Sequence, residues 1–421
     1  MILRKNEPSL LGAMGEVLMN NSLSRSQLNG HINGKRVLHY GDIHTKLPSH
    51  IKSVLDFPLA NAEVLSYLSD KQRIKCGDVV LADASEDYND VGKAVEFVKE
   101  PEEDTFAGLH TILFRPNPET FATGYLAYAL QAWPMRLNIM RLSQGAKVLG
   151  LSKGYFQQLE IRPHELEEQK KIAGFLSAVD EKLAAVEAQL AGWRDYKRGM
   201  MQAFFSQRLR FKVDDGSTFP VWSNVKLEDR FSFHKTNSLS RAVLGLESDG
   251  IENIHYGDIH TKYRAQFDIR NESTGIVPNH LTDKAGEPLK KGDVIFADAS
   301  EDYNDVGKAI EVINLDNSAV VAGLHTILAR PKKDAIALGF AAYLFASWPL
   351  RKQLMRIANG ASVLGISKTN LAKVDLTLPS LQEQQKIAEA LSAIDAKIEA
   401  LTVRQEATRE FKRGLLQKMF V

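Results

Sequence analysis

Three polar stretches hold most of the chain's chemically useful side chains. Residues 39–46 read HYGDIHTK, residues 82–94 read ADASEDYNDVGKA, and residues 107–113 read AGLHTIL. They supply His44, Thr45, Lys46, Ser85, Glu86, Tyr88, Lys93 and His110. Three kinds of chemistry draw on such an inventory. A metal centre would use His44, His110, Asp42 and Asp83 as ligands, although no two histidines have a helical ligand spacing and Lys, Ser and Tyr stand ready to hold the carboxylates. Tight turns would use Asp and Asn, with Gly41-Asp42 and Asn89-Asp90 as Asx turns. A nucleic-acid surface would place Lys46 and Lys93 on phosphates or guanine edges and let Glu86 or Asp83 accept from cytosine. His44, Ser85, Tyr88 and His110 would complete that polar surface.

Catalytic signatures are missing. There is no Asn-Pro-Pro-Phe or Asp-Pro-Pro-Tyr run with a Gly-rich loop, so no adenine methyltransferase site is expected. A phosphate loop, a G-x-S-x-G elbow and an H-E-x-x-H pair are likewise absent. The lone cysteine, Cys76, rules out a disulfide framework or a Cys-rich zinc site. The 421 residues carry 53 Lys+Arg against 52 Asp+Glu and are 44% hydrophobic, ordinary values for a globular chain and unlike a disordered or collagen-like one. Arg4, Lys5 and Glu7 break up the start, so no signal peptide is expected. No apolar run approaches a membrane span, so a cytoplasmic protein with no membrane partner is expected.

The elements that must position these residues are written twice. HYGDIHTK recurs at 255–262 with an offset of 216, and the other two stretches recur letter for letter at 297–309 and 322–328 with an offset of 215. The second copy therefore supplies His260, Thr261, Lys262, Ser300, Glu301, Tyr303, Lys308 and His325. Cys76 has Lys291 as its counterpart, which argues against a catalytic thiol. One half-molecule has been duplicated in tandem; the period is far too long for a solenoid.

Each half divides again. Short β-branched runs such as Val79-Val80-Leu81 alternate with turn signals, which predicts a mixed α/β (α+β) body. After it, Ile172, Leu176, Val179, Leu183, Val186, Leu190, Trp193, Met200 and Phe204 form a heptad-like stripe, echoed by Ile387, Leu391, Ile394, Ile398, Leu401, Thr408, Leu415 and Met419. About 40 helical residues would span roughly 60 Å, and a single apolar stripe of that length needs another helix along it. The expected architecture is two similar heads, 1–163 and 213–379, separated by two long antiparallel coiled-coil helices, 164–212 and 380–421, with pseudo-two-fold symmetry. The Lys197-Arg198-Gly199 and Lys412-Arg413-Gly414 repeats near the helix ends are expected on solvated helix surface. A rival architecture has each helix covering its own core, and a rival function is a non-enzymatic scaffold with ligand-binding heads.

Charge narrows the nucleic-acid reading. Residues 1–163 carry 18 Lys+Arg and 18 Asp+Glu, and residues 213–379 carry 19 and 21. A protein that holds DNA alone usually has a basic excess, because counterion release supplies much of its affinity. Either these heads do not bind DNA, or another subunit supplies most of the phosphate contacts.

The helix openings, LEEQKKIA at 166–173 and LQEQQKIA at 381–388, follow GAKVLGLSK at 145–153 and GASVLGISK at 360–368. With the duplication, and with Phe219-Pro220-x-Trp222 leading into the second head, the whole chain resembles the specificity subunit of type I restriction–modification enzymes. The resemblance implies two target-recognition domains, each reading half of a bipartite double-stranded DNA site. It implies helices that set the gap and dock two methyltransferase (modification) subunits, with restriction subunits joining. The chain would have no catalytic residues and no cofactor or metal of its own; S-adenosylmethionine, ATP and Mg would belong to the partners. Because the two copies share the stretches above, both heads are expected to read the same short half-site as an inverted repeat. Alternatively those stretches are scaffold, and the reading residues lie in the divergent segments 47–71 and 263–284.

Overall fold

The computed structural model describes residues 8–30, 35–245 and 250–420. The charged start with Arg4, Lys5 and Glu7 lies outside the described residues, as do 31–34, 246–249 and 421. Two compact units divide the chain: 1–188 with 403–421, and 189–402. Each unit contains one globular body and a stretch of both long helices.

In the first unit, strands β1 (Gly15–Leu18), β2 (His50–Ile51), β3 (Val79–Ala82), β4 (Ala94–Phe97) and β5 (Thr111–Pro116) form one sheet in the order β1-β5-β3-β4-β2. All pairings are antiparallel except β2 with β4. Every residue of β3 is buried, which explains an unbroken Val-Val-Leu-Ala run where a half-exposed strand would alternate. Val79 and Leu81 face one cluster with Ile112 and Phe114; Val80 and Ala82 face another with Val95 and Leu113. Helix α1 (Tyr40–Thr45) covers the second face through Ile43. Helix α2 (Leu126–Gln131) and the long helix α3 (Leu166–Phe205) cover the first.

The second unit repeats this plan. Strands β6 (Phe231–His234), β7 (Gln266–Asp268), β8 (Val294–Ala297), β9 (Ala309–Asn314) and β10 (Thr326–Pro331) are ordered β6-β10-β8-β9-β7. Helices α4 (Tyr256–Thr261) and α5 (Phe340–Ala346) take the places of α1 and α2, and α6 (Leu381–Met419) is the second long helix. The divergent segments differ in structure too. A strand at Gly275–Val277 joins a three-stranded sheet here, whereas a 3-10 turn at Ala62–Tyr67 lies in the first unit's divergent segment.

Within each unit the two helical runs are antiparallel. In the first, Asp180 meets Lys412 at 2.7 Å and Glu187 meets Arg409 at 2.7 Å. In the second, Lys197 meets Asp395 at 2.6 Å, and Phe204 packs in one cluster with Ile387 and Leu391. Lys197 and Lys412 are thus not on solvated surface. The Tyr128 hydroxyl donates to Asp180 at 2.8 Å while Lys412 lies over the Tyr128 ring; Tyr343, Asp395 and Lys197 repeat the knot. These lysines fasten the helix pair to the globular body. Periodicity could not reveal this, because the partners lie on distant elements.

Candidate nucleic-acid interface

The three duplicated stretches converge on the two-residue strand Ala84–Ser85. His44 Nε2 lies 2.9 Å from the Ala84 carbonyl, and the Lys93 ammonium donates to the His44 carbonyl at 2.7 Å. The backbone N–H of Asp83 donates to the His110 carbonyl at 3.0 Å, and the Asp83 carboxylate lies 3.3 Å from His110 Nδ1. The edge of the Tyr40–His110 ring pair closes the group at 5.3 Å.

Local sequence explains why α1 forms there. His39 caps it, its Nδ1 accepting from the Gly41 N–H at 3.1 Å. Burial, helped by Arg25, holds the His39 imidazole below its ordinary pKa, which keeps it neutral and able to accept. Arg25 grips the Asp42 carboxylate at 2.8 Å, and Thr45 bonds back to the Gly41 carbonyl. The turn after the hub strand is held from inside: Ser85 Oγ accepts from the Asp87 N–H, Asp87 accepts from the Asn89 N–H, and Arg136 donates to the Asn89 carbonyl. The Tyr88 hydroxyl donates to the Met140 carbonyl, yet its side chain remains 51% exposed.

The second unit reproduces these contacts with little change. His260 Nε2 lies 2.9 Å from the Ala299 carbonyl, Lys308 donates to the His260 carbonyl at 2.6 Å, and Asp298 lies 3.3 Å from His325. Thr261 bonds back to Gly257, Ser300 Oγ accepts from the Asp302 N–H, and Tyr303 is 51% exposed.

The sixteen sequence-selected residues therefore gather at two equivalent corners but divide into two kinds. His44, Thr45, Ser85 and Lys93, with His260, Thr261, Ser300 and Lys308, are engaged with the protein's own backbone. Lys46, Glu86, Tyr88 and His110, with Lys262, Glu301, Tyr303 and His325, keep exposed side chains. Lys46 approaches Asp42 at 3.6 Å, whereas Lys262 bonds Ser273. For the metal reading, Asp42 is engaged with Arg25 and Asp83 with His110. Among the described residues no group of three or more His, Cys, Asp or Glu is placed to hold an ion.

The sequence reading passed over two features. Arg25 and Arg241 belong to a fourth repeat, NSLSR at 21–25 and 237–241, with the offset of 216; that offset alone would have found it. The other is the hairpin that pairs Leu149-Gly150 with Ser85-Ala84, and Leu364-Gly365 with Ser300-Ala299. Its tip turns on Gly145 (φ +139°) and Gly360 (φ +145°), where a Cβ would sit 1.9 Å from the carbonyl oxygen of Val148 or Val363. No other residue fits. Val148 and Val363 point into solvent beside the corner.

Residues 222–409 match the family model of the type I restriction modification DNA specificity domain. Two relatives come from Methanocaldococcus jannaschii. The putative type I restriction enzyme MjaX specificity subunit is 23% identical over 82% of this chain and 78% of its own length. The MjaVIII specificity subunit is 25% identical over 69% of this chain and 68% of its own. In fold, the chain is similar to the S subunit of the type I restriction–modification system of M. genitalium, with a TM-score of 0.58, 13% identity and coverage of 100% and 98%. A further type I restriction–modification structure gives 0.56 at 16% identity, covering 98% and 97%. The chain thus carries the DNA-specificity fold of type I restriction–modification systems. Residues 222–409 match that family's DNA specificity domain, and the chain as a whole is similar to type I restriction enzyme specificity subunits. The family model leaves the first 221 residues uncovered, and the internal repeat relates them to the matched half. Among the described residues no helix is long and apolar enough to cross a membrane.

Proposed function

We propose that each unit reads one half of a bipartite DNA target and that both units read the same half-site, arranged as an inverted repeat. The carrying observation is that the same exposed side chains recur around the same hub in both units, with supporting distances that agree within 0.1 Å (3.3 and 3.3 Å at the histidines, 2.7 and 2.6 Å at the lysines). The long helices set the gap between half-sites and dock two methyltransferase subunits, and restriction subunits complete the assembly. S-adenosylmethionine, ATP and Mg serve those partners. The balanced charge of both heads supports a division of labour in which the partners supply most phosphate contacts.

Methylome sequencing of a host with and without this chain tests the reading. The expected result is methylated adenine in an inverted repeat around a gap of fixed length. Two unrelated half-sites would overturn the shared specificity, and no chain-dependent motif would overturn the function. Deleting one heptad between Ala173 and Phe204 should alter the gap and leave the half-sites alone; an unchanged gap would overturn the role of the helices.

A further inference from the structure

His110 and His325 adopt left-handed backbone, with φ of +55° and +54°. Histidine at positive φ is uncommon and strained, so its presence at both equivalent positions calls for a compensating role. Each ring is held from one side only. The Asp83 carboxylate lies against His110 Nδ1 while the Asp83 N–H bonds the His110 carbonyl, and the Tyr40 ring braces the imidazole. Asp298, Tyr256 and His325 repeat the arrangement. The side chain of each histidine is 50% exposed. A carboxylate only accepts, so the paired Nδ1 carries the proton and the neutral imidazole's other nitrogen is an acceptor.

We propose that the Asp83–His110 and Asp298–His325 pairs are fixed-tautomer base readers, each presenting His Nε2 as an acceptor to an exocyclic amino group on a base edge. The inference rests on the DNA-reading function proposed above and deepens it. In the major groove such hydrogens are offered by N6 of adenine and N4 of cytosine, whereas O6 of guanine and O4 of thymine only accept. The Asp83 and Asp298 carboxylates are positioning groups; the imidazoles touch the base. Since the two pairs are alike, they read the same base at the same place in each half-site.

The test uses the full chain co-expressed with its methyltransferase subunits in a host without adenine methylation. Methylome sequencing is combined with competition binding on duplexes changed one base pair at a time. His110→Asn suits the left-handed backbone, since asparagine tolerates that region, and it is too short to reach the base. Preference at one adenine or cytosine of the first half-site should fall about tenfold to a hundredfold. The second half-site stays unchanged as an internal control of folding. Whether the lost base is adenine or cytosine identifies the amino group read. Asp83→Ala frees the proton to occupy Nε2, so the same position should shift toward guanine or thymine. Unchanged preferences in both variants would overturn the proposal, as would a loss spread evenly over all positions. A wild-type complex that marks no bipartite motif would overturn the DNA-reading function itself, a separate and recognisable failure.

Discussion

The two units match most closely where their side chains hold one another and least where they meet the rest of the chain. Arg25–Asp42 and Arg241–Asp258 differ by 0.1 Å, and the hub contacts at His44 and His260 not at all. Behind them the units part. In the second, Arg210 forms a two-pronged pair with the fully buried Glu383, at 3.0 and 2.7 Å, and Trp222 donates to the same carboxylate at 3.2 Å. In the first, the counterpart Glu168 is exposed, and the counterpart of Trp222, Asn6, lies outside the described residues. The difference teaches that duplication has preserved a hydrogen-bonded network as a whole, whereas the anchoring of the units has been free to diverge.

The sharpest test of that contrast is Arg210→Ala, which strands a buried carboxylate. Removing one partner of a buried pair costs about 3–5 kcal/mol. The second unit's unfolding transition in denaturant should move by that amount. Glu168→Ala, at the exposed counterpart, should stay within about 0.5 kcal/mol. Equal losses would break the comparison.

Much of this was legible in the residues. The duplication, the mixed heads and the two long helices follow from repeated letters and from the spacing of Ile172 through Phe204. The corner was legible as a set of residues but not as a geometry. Identical letters cannot distinguish a lysine that meets DNA from Lys93, which bonds the His44 carbonyl, because both are preserved by the same constraint. The anchoring lysines Lys197 and Lys412 were misplaced for a related reason. A lysine on a helix reads as solvated until the tyrosine and aspartate from other elements are seen around it.

A second contrast concerns pH. Glu96 and Glu311 are buried at the amino ends of α2 and α5, accepting from Gly124 and Ala127 and from Gly339 and Ala342. Burial pushes both carboxyls up from 4.5 to about 7. The folded state therefore binds more protons than the unfolded one between pH 4.5 and 7. The stability each carboxyl contributes is complete below that window and is lost as pH rises through it, at up to about 1.4 kcal/mol per pH unit. In the first unit His50 faces the same loop, bonding the Gly124 carbonyl at 2.7 Å, and burial lowers its pKa. Its unfolded form takes up protons first, so below 6.5 its contribution rises with pH and opposes that of Glu96. The second unit has Gln266 there, bonded to Gly339, and no such offset. Denaturation followed from pH 4.5 to 8 should show the steeper decline in the second unit. His50→Gln should give the first unit the same slope, and Glu311→Gln should flatten the second. Matching slopes in the unaltered units would refute the offset.

The smallest expected effect separates two lysines with the same sequence context and different contacts. Lys46 stands exposed at 3.6 Å from Asp42, an i,i+4 surface pair worth at most about 1 kcal/mol. Lys262, one full repeat later, is drawn aside to Ser273 in the divergent segment, so its ammonium must leave that partner before reaching anything else. If the lysine of this stretch meets a phosphate, removing it weakens binding evenly across DNA sequences and lowers the salt dependence by about one unit of slope. Lys46→Ala should therefore reduce the slope of log affinity against log salt by about one, and Lys262→Ala by less. Neither should change which bases are preferred, nor move either unit's stability by more than about 0.5 kcal/mol. A change of base preference would transfer these lysines from the backbone of the target to its sequence. An equal slope change in both would mean that the Ser273 contact gives way freely, and that the corners differ less on DNA than alone.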